Sequence, residues 1–336
     1  MRIAFDSSPL TRPYPPGVAA ATRGLLVALR ERAELEVVEL GPEPGEPERT
    51  WRQLRLPLAA ERAGTVGIHS PVSAFAACGP GLRVSTVHEL PWRHGVRENA
   101  GVGHRLWARL GVARADAVLT PTELVRRNLL AECGGGERRV HACPWGVGPH
   151  QPAPTVPPSA EEPFVLVLGG TRRKKGLDHA LRGLERLERE GGPALHLVVT
   201  GPPTEALEVD LHLARRLGLG PRVSTPGVVD EGKRKELLAR AAAVLVLSRS
   251  EGFGLPALEG LAAGTPVVVA AGSAQAEVAG AAGIRVDAGR PAEVASGLLE
   301  ALRREPERQR AGLARAAELT WERCAVQVEH LWRSLA

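Results

Sequence analysis

Cysteine is scarce. The chain of 336 residues has four, Cys78, Cys133, Cys143 and Cys324, with no CxxC spacing among them. That pattern argues against a zinc site or a disulfide framework and reads as reduced thiols in a cytosolic protein. Long apolar runs are also missing. The stretches 241–247 and 261–272 are short or broken by Gly264 and Pro266, far below a membrane span. Pro9 and Pro13 interrupt the amino-terminal segment before a signal-type apolar run develops, so no export signal is expected. There is no aspartate cluster to hold a metal. Lysine is confined to Lys174, Lys175, Lys233 and Lys235, and every other cation is arginine. The net charge of +5 is too small to indicate a nucleic-acid partner, and none is expected.

What is present is globular: 43% hydrophobic and 24% charged residues, in a length that suits two domains. A proline-rich stretch, Pro149 to Pro158, divides the chain, because no helix or central strand survives that proline density. Before it, apolar runs predict strands at 2–6, 35–40, 65–69, 83–87, 116–120 and 139–143. Helices are predicted near 18–32, 104–113 and 122–132. After it, strands are expected at 164–168, 195–200, 222–224, 243–247, 266–270 and 284–286. The helices expected there are 178–190, 205–217, 233–241, 256–263 and 291–304. Strands alternating with helices in both halves predict two parallel-sheet α/β domains. The runs VLVL at 165–168 and VVVA at 267–270 do not alternate, as befits strands buried on both faces. Ligands of such sheets bind beyond the carboxyl ends of the strands, so a cleft between the domains is expected. The boundaries are residues 1–150 with about 320–336, a linker at 151–160, and residues 161–319.

Two segments could carry chemistry. In the first, an apolar strand leads into Gly169-Gly170-Thr171-Arg172-Arg173-Lys174-Lys175-Gly176 and then a helix opening near Asp178. Glycines admit a close ligand, a helix N-terminus offers free N–H groups, and four consecutive cations suit a diphosphate. A solvated charge run explains the same residues. In the second, Ser248 to Gly260 follows a buried strand and enters a helix at Pro256. Gly252, Gly254 and Ala257 formally satisfy a dinucleotide fingerprint, but Glu251 puts negative charge where a pyrophosphate needs positive potential. The more economical reading makes Glu251 and Glu259 the ligands, accepting hydrogen bonds from sugar hydroxyls.

The stretch 242–272, AAVLVLSRSEGFGLPALEGLAAGTPVVVAAG, resembles the donor-site signature of retaining GT-B glycosyltransferases of family 4. Glu251 and Glu259 match its Glu-x7-Glu pair. GGTRRKKG at 169–176 resembles that family's phosphate loop, and TVHEL at 86–90, PWGV at 144–147, VTGP at 199–202 and TWERCA at 320–325 follow in order. The resemblance implies two Rossmann-like domains facing across a cleft, with the last helix crossing back to the first. It implies that Glu259 binds the donor ribose and Glu251 faces the transferred sugar. Backbone amides near Gly252, Phe253, Gly254 and Leu255 would approach sugar and phosphates. Lys175, with Arg172, Arg173 and Lys174, would hold the diphosphate. Val228 would contact the base, Gly17 would lie beside the diphosphate, and His88 would stand on the acceptor side near the anomeric carbon. No metal or other cofactor is implied.

The resemblance is weakest near the amino end. Gly17-Val18-Ala19-Ala20-Ala21 stands where the family pattern reads G-I-G-R-Y, and Glu89 replaces an aspartate. The leading expectation is a retaining transferase moving a hexose from a nucleotide sugar to a glycan, lipid-linked or small-molecule acceptor. GDP-mannose is favoured over UDP- or dTDP-sugars. The alternatives are a non-catalytic nucleotide-sugar-binding subunit or another GT-B enzyme, such as a sugar-nucleotide epimerase or a phosphorylase. Six arginines but two acids lie between Arg83 and Arg114, with Trp92 and Trp107 among them. This adds a peripheral contact with the inner face of the plasma membrane to the cytoplasmic expectation; its alternative is an ordinary solvated helix.

Overall fold

The computed structural model describes residues 1–96, 98, 100–148 and 163–336. The expected linker lies outside the described residues. The chain forms two units: one runs from Met1 to Gly148 and takes in Leu319–Ala336, and the other ends at Glu318.

The first unit is built on six parallel strands: β1 (Arg2–Asp6), β2 (Glu36–Leu40), β3 (Gly67–Ser70), β4 (Leu82–Thr86), β5 (Ala117–Thr120) and β6 (Val140–Ala142). Their order is β2-β1-β3-β4-β5-β6. The second unit repeats the plan with β7 (Phe164–Val167), β8 (His196–Thr200), β9 (Val223–Gly227), β10 (Ala243–Val246), β11 (Val267–Ala270) and β12 (Ile284–Val286). That order is β12-β11-β10-β7-β8-β9. This is the doubly wound α/β architecture of the GT-B fold. The apolar runs in β10 and β11 are buried throughout because helices cover both faces of the sheet. The core gathers Val165, Leu181, Leu184, Leu197, Leu245, Val268 and Leu298 between that sheet and the helices Leu177–Arg189 and Pro291–Leu302.

In each sheet the strand order reverses at one place. It does so between β1 and β3 in the first unit and between β7 and β10 in the second. Consecutive crossovers leave the sheet on opposite faces there, which opens a crevice beyond the carboxyl ends of the two strands.

The last helix, Trp321–Leu335, completes the first unit. Thr320 caps it by accepting a hydrogen bond from the Arg323 amide at 3.3 Å. It packs on the helix Pro16–Arg30, and Val328 and Trp332 join Ile3, Phe5 and Leu29 in one core. Gly24 is what allows the approach: a Cβ there would lie 2.2 Å from the Trp321 ring. All four cysteines are free thiols, and the buried Cys143 and Cys324 sulfurs are 3.5 Å apart within the same core.

Candidate active site

In the second unit both candidate segments leave the strands that flank the reversal, β7 and β10. The turn after β7 needs glycine twice. Gly169 has φ +62°, and Gly176 has φ +71° at a point where a Cβ would come within 2.2 Å of the Leu247 carbonyl oxygen. That approach presses the cationic turn Arg173–Lys175 against the loop after β10. The Arg249 amide donates to the Lys174 carbonyl at 2.8 Å. The Arg249 guanidinium grips both Asp178 oxygens at 2.9 and 2.6 Å. Beside this clamp Lys175 Nζ donates to the two Glu251 oxygens at 3.2 and 2.9 Å.

The four cations do not share one environment. Lys174 is buried, Lys175 meets Glu251, Arg172 is half-buried and Arg173 is exposed. Neither arginine pairs with a carboxylate among the described residues, so both charges remain available to an anion.

The loop after β10 keeps Ser248, Ser250 and Phe253 buried and ends at Gly254, whose φ of +94° no other residue adopts without strain. A Cβ on Gly254 would also stand 2.6 Å from Gln275. The helix Leu255–Ala262 starts there with Pro256 in its first turn. It carries Glu259, which forms an ion pair with Arg234 from the helix Glu231–Arg240. Val228 follows Gly227 at the carboxyl end of β9 and is 76% exposed, unusual for a valine.

The two carboxylates are tuned in opposite directions. Burial raises the pKa of Glu251, but the charges of Lys175 and Lys174 and hydrogen bonds from Lys175 and Ser248 outweigh it and hold the group below the ordinary value. Burial also raises Glu259, and here Arg234 and the more distant Lys175 only partly compensate, leaving it above the ordinary value. Lys175 acts electrostatically on both.

His88 and Gly17 belong to the first unit. His88 follows β4, and its Nε2 lies 2.7 Å from the Pro71 carbonyl. A carbonyl only accepts, so Nε2 carries the proton and Nδ1 presents a lone pair, which is buried and unpartnered. The ring stands edge-on to Trp145 at 5.0 Å. Burial depresses its pKa to about 4, and the charge of His104 adds to this against the hydrogen bond to Pro71, so the imidazole is neutral at pH 7. Gly17 lies in the first turn of Pro16–Arg30, exposed, and a Cβ there would meet nothing within 4 Å. The protein's own packing does not require a glycine at that position.

Sequence reading missed Arg234, the Arg249–Asp178 clamp and Gln275, whose amide donates to the Val246 and Ser248 carbonyls at 3.4 and 3.2 Å. Only Arg249 had a local signal, its place two residues before Glu251. Of the arginines between Arg83 and Arg114, Arg93, Arg105 and Arg109 converge on Glu132 at 3.7, 2.6 and 2.9 Å, and Arg83 pairs with Asp116 at 3.4 Å. Much of that positive charge is therefore consumed within the fold. No helix among the described residues is long and apolar enough to cross a membrane.

Residues 154–317 match the family described as glycosyl transferases group 1. The D-inositol 3-phosphate glycosyltransferase 1 of Catenulispora acidiphila is 32% identical over 244 residues, covering 66% of this chain and 58% of that protein. That of Xylanimonas cellulosilytica is 32% identical over 178 residues, 48% of this chain and 42% of the relative. The chain spans about half the length of these curated relatives. Among solved structures, the sucrose-phosphate synthase of Thermosynechococcus elongatus superposes with a TM-score of 0.78 at 20% identity, covering 99% of this chain and 98% of that one. Anabaena Alr3699/HepE, in complex with UDP and glucose, gives 0.75 at 16% identity over 100% of both chains.

Proposed function

We propose that this chain, a member of the glycosyl transferases group 1 through residues 154–317, transfers a hexose from a nucleotide sugar to a hydroxyl acceptor, with retention at the anomeric carbon and without a metal ion. One observation carries the reading: at the strand-order reversal of the second unit, Lys175 pairs with Glu251 and acts electrostatically on Glu259, two half-buried carboxylates tuned in opposite directions. A diphosphate with a sugar on either side presents that sequence of charge and hydroxyl, ribose for Glu259 and hexose for Glu251.

The reaction exchanges the bond from C1 to a phosphate oxygen for a bond from C1 to the acceptor oxygen, and the acceptor proton leaves with the diphosphate. Negative charge accumulates on the leaving oxygen. Lys175 retains a third N–H beyond the two directed at Glu251 and can turn it to that oxygen. Lys174, Arg172 and Arg173 supply further fixed charge, and the amides of Phe253, Gly254 and Leu255 open the helix N-terminus. Fixed charges and dipoles of this kind stabilise a departing anion without reorganising. Glu251, held ionised, accepts from the hexose hydroxyls and faces the positive charge that develops at C1. Exposed Val228 offers an apolar face to the base. GDP-mannose remains the favoured donor, and the UDP bound in HepE makes a UDP-sugar the next to test.

A thermal-shift screen of nucleotide sugars comes first, since a ligand of the native state raises the melting temperature. Donor consumption and the anomeric proton signals of the product then test transfer and retention. Nucleotide-sugar binding with no turnover over a broad acceptor panel identifies a binding subunit instead, and conversion of the donor without acceptor identifies an epimerase.

A further inference from the structure

The Arg249–Asp178 contact takes no part in the chemistry described above, yet it brackets Lys175. Arg249 meets the chain on both sides of that lysine. Before it, the Arg249 amide donates to the Lys174 carbonyl at 2.8 Å, and guanidinium Nη1 donates to the Arg173 carbonyl at 3.1 Å. After it, Nη1 and Nη2 donate to the two Asp178 oxygens at 2.9 and 2.6 Å. Asp178 stands in the first turn of the helix Leu177–Arg189. A two-pronged arginine–carboxylate pair fixes direction as well as distance. Two residues along from Arg249, Glu251 receives the Lys175 ammonium. The loop after β10 therefore holds the turn after β7 at residues 173, 174, 175 and 178.

Charge separates Arg249 from the cations of the turn. Arg172 and Arg173 meet no carboxylate among the described residues, whereas Arg249 is answered by Asp178 in contact and by Asp210, on the helix Glu205–Arg216, at longer range. The hydrogen bond to Asp178 outweighs burial and, with the charges of both acids, holds the Arg249 pKa above its ordinary value. Burial raises Asp178, but the hydrogen bond and charge of Arg249 outweigh it and hold that carboxyl below the ordinary value. The two side chains are 33% and 30% exposed, so the pair adds little to stability by itself. What it supplies is geometry. Arg172, Arg173, Lys174 and Lys175 repel one another, and a neutralised guanidinium can hold such a turn in place without adding a further net charge.

We propose that Arg249 and Asp178 are a positioning pair: they hold the cationic turn so that Lys175 stays directed at Glu251 and keeps its remaining N–H for a diphosphate. The placing of Lys175 rests on the geometry of the second unit alone. Its benefit to diphosphate binding rests on the nucleotide-sugar reading proposed above.

Two measurements on the whole chain test this. The chain has only four lysines, so selective isotope labelling of lysine gives four side-chain signals by nuclear magnetic resonance, assigned by replacing each lysine with arginine in turn. Arg249→Met keeps the apolar stem, and Asp178→Asn keeps the shape of the carboxylate. Both are expected to move the Lys175 signal and to leave those of Lys233 and Lys235, which pair with Glu236 and Glu231, where they are. Calorimetry with UDP and with GDP is expected to show binding weakened about five-fold by either variant, and no further by the two combined. Arg249→Lys, which keeps the charge without the two-pronged grip, should lose less than Arg249→Met. A Lys175 signal unmoved in both variants overturns the proposal. So does equal movement of the Lys233 and Lys235 signals, the mark of a general structural role. A moved Lys175 signal with unchanged diphosphate affinity overturns the part played in binding. Failure of the unaltered protein to bind either diphosphate counts against the nucleotide-sugar reading instead, and the lysine signals still decide the positioning.

Discussion

The two sheets share a topology and differ in what they place where strand order reverses. At β7 and β10 the chain sets cations against half-buried carboxylates, and Arg172 and Arg173 are left without a carboxylate partner among the described residues. At β1 and β3 it sets a buried network around one carboxylate: Asp6 accepts from Trp51 at 2.9 Å and from Arg52 at 2.8 Å. One topology thus appears twice, and local residues set how charge is arranged at each reversal. Domain architecture predicts where a ligand binds, and the side chains there predict which ligand.

The comparison can be broken most forcefully at Lys175. Lys175→Met leaves Glu251 ionised without its nearest partner in a largely buried place, a loss of about 3 kcal/mol for a broken ion pair of this kind. All six tryptophans, Trp51, Trp92, Trp107, Trp145, Trp321 and Trp332, lie in the first unit, so their emission reports on that unit alone. In urea, the variant is expected to lose far-UV circular dichroism amplitude at lower denaturant while tryptophan emission keeps its midpoint. A shift of both together would show that the charged site does not belong to the second unit alone.

Glu251→Gln comes next. It removes an interaction that strengthens as charge develops at C1, and turnover is expected to fall by about a hundred-fold, near 2.7 kcal/mol. Nucleoside diphosphate affinity should barely change. Glu259→Gln should do the opposite, weakening nucleoside diphosphate and nucleotide sugar alike by about 1.5–3 kcal/mol. Calorimetry with both ligands, paired with donor-consumption kinetics, separates the roles; normal binding and normal turnover in both variants would make the carboxylates structural.

The smaller effects sharpen the first unit. His69 is buried with both ring nitrogens unpartnered, stacked on Phe5 at 5.1 Å and edge-on to Trp332 at 5.4 Å. Burial, with a lesser push from His88, lowers its pKa to about 3, and burial lowers His88 to about 4. Both folded-state values lie below the unfolded 6.5, so the stability they contribute is fully present above pH 6.5 and is lost as pH falls toward 4. Each histidine contributes a slope of about 1.4 kcal/mol per pH unit in that window. Urea midpoints read by tryptophan emission should fall from pH 6.5 to 5, and His69→Leu should flatten the decline; an unchanged slope would show that His69 does not titrate as its burial implies. The smallest effect expected is none: transfer should survive excess EDTA, and loss restored by magnesium or manganese would overturn the metal-free reading.

Much of this was legible in the residues. Non-alternating apolar runs located the buried strands, and the glycine-bounded segments marked the loops at the second unit's reversal. What stayed hidden depends on distant partners. The helical stretch from Glu48 to Arg62 was not foreseen: Pro57 sits inside it, and no clean apolar period runs through its arginines. Its position is set by Trp51 and Arg52 reaching Asp6 at the end of β1. Nor does sequence say which cation meets which carboxylate, so Arg234 opposite Glu259 and Arg249 opposite Asp178 emerged only from the fold. Around Gly17, where a glycine loop was expected beside the diphosphate, Pro16 starts the helix earlier than the apolar pattern suggested and places Gly17 in an ordinary helical turn.

The helix Trp321–Leu335 closes a core that begins at Ile3, and this has a consequence for how the protein is made. A ribosome delivers the chain from the amino end, at about 5–20 residues per second. The strands of the first unit are among the earliest segments to emerge, yet Phe5 and Leu29 wait for Val328 and Trp332 before their apolar surface is covered. The second unit is continuous in sequence up to Glu318, so all of its strands and helices are synthesised before the helix that completes the first. The first unit therefore completes its core only after the whole second unit has been synthesised. A chaperone that shields exposed apolar surface during translation would find its longest-lived target in the first unit.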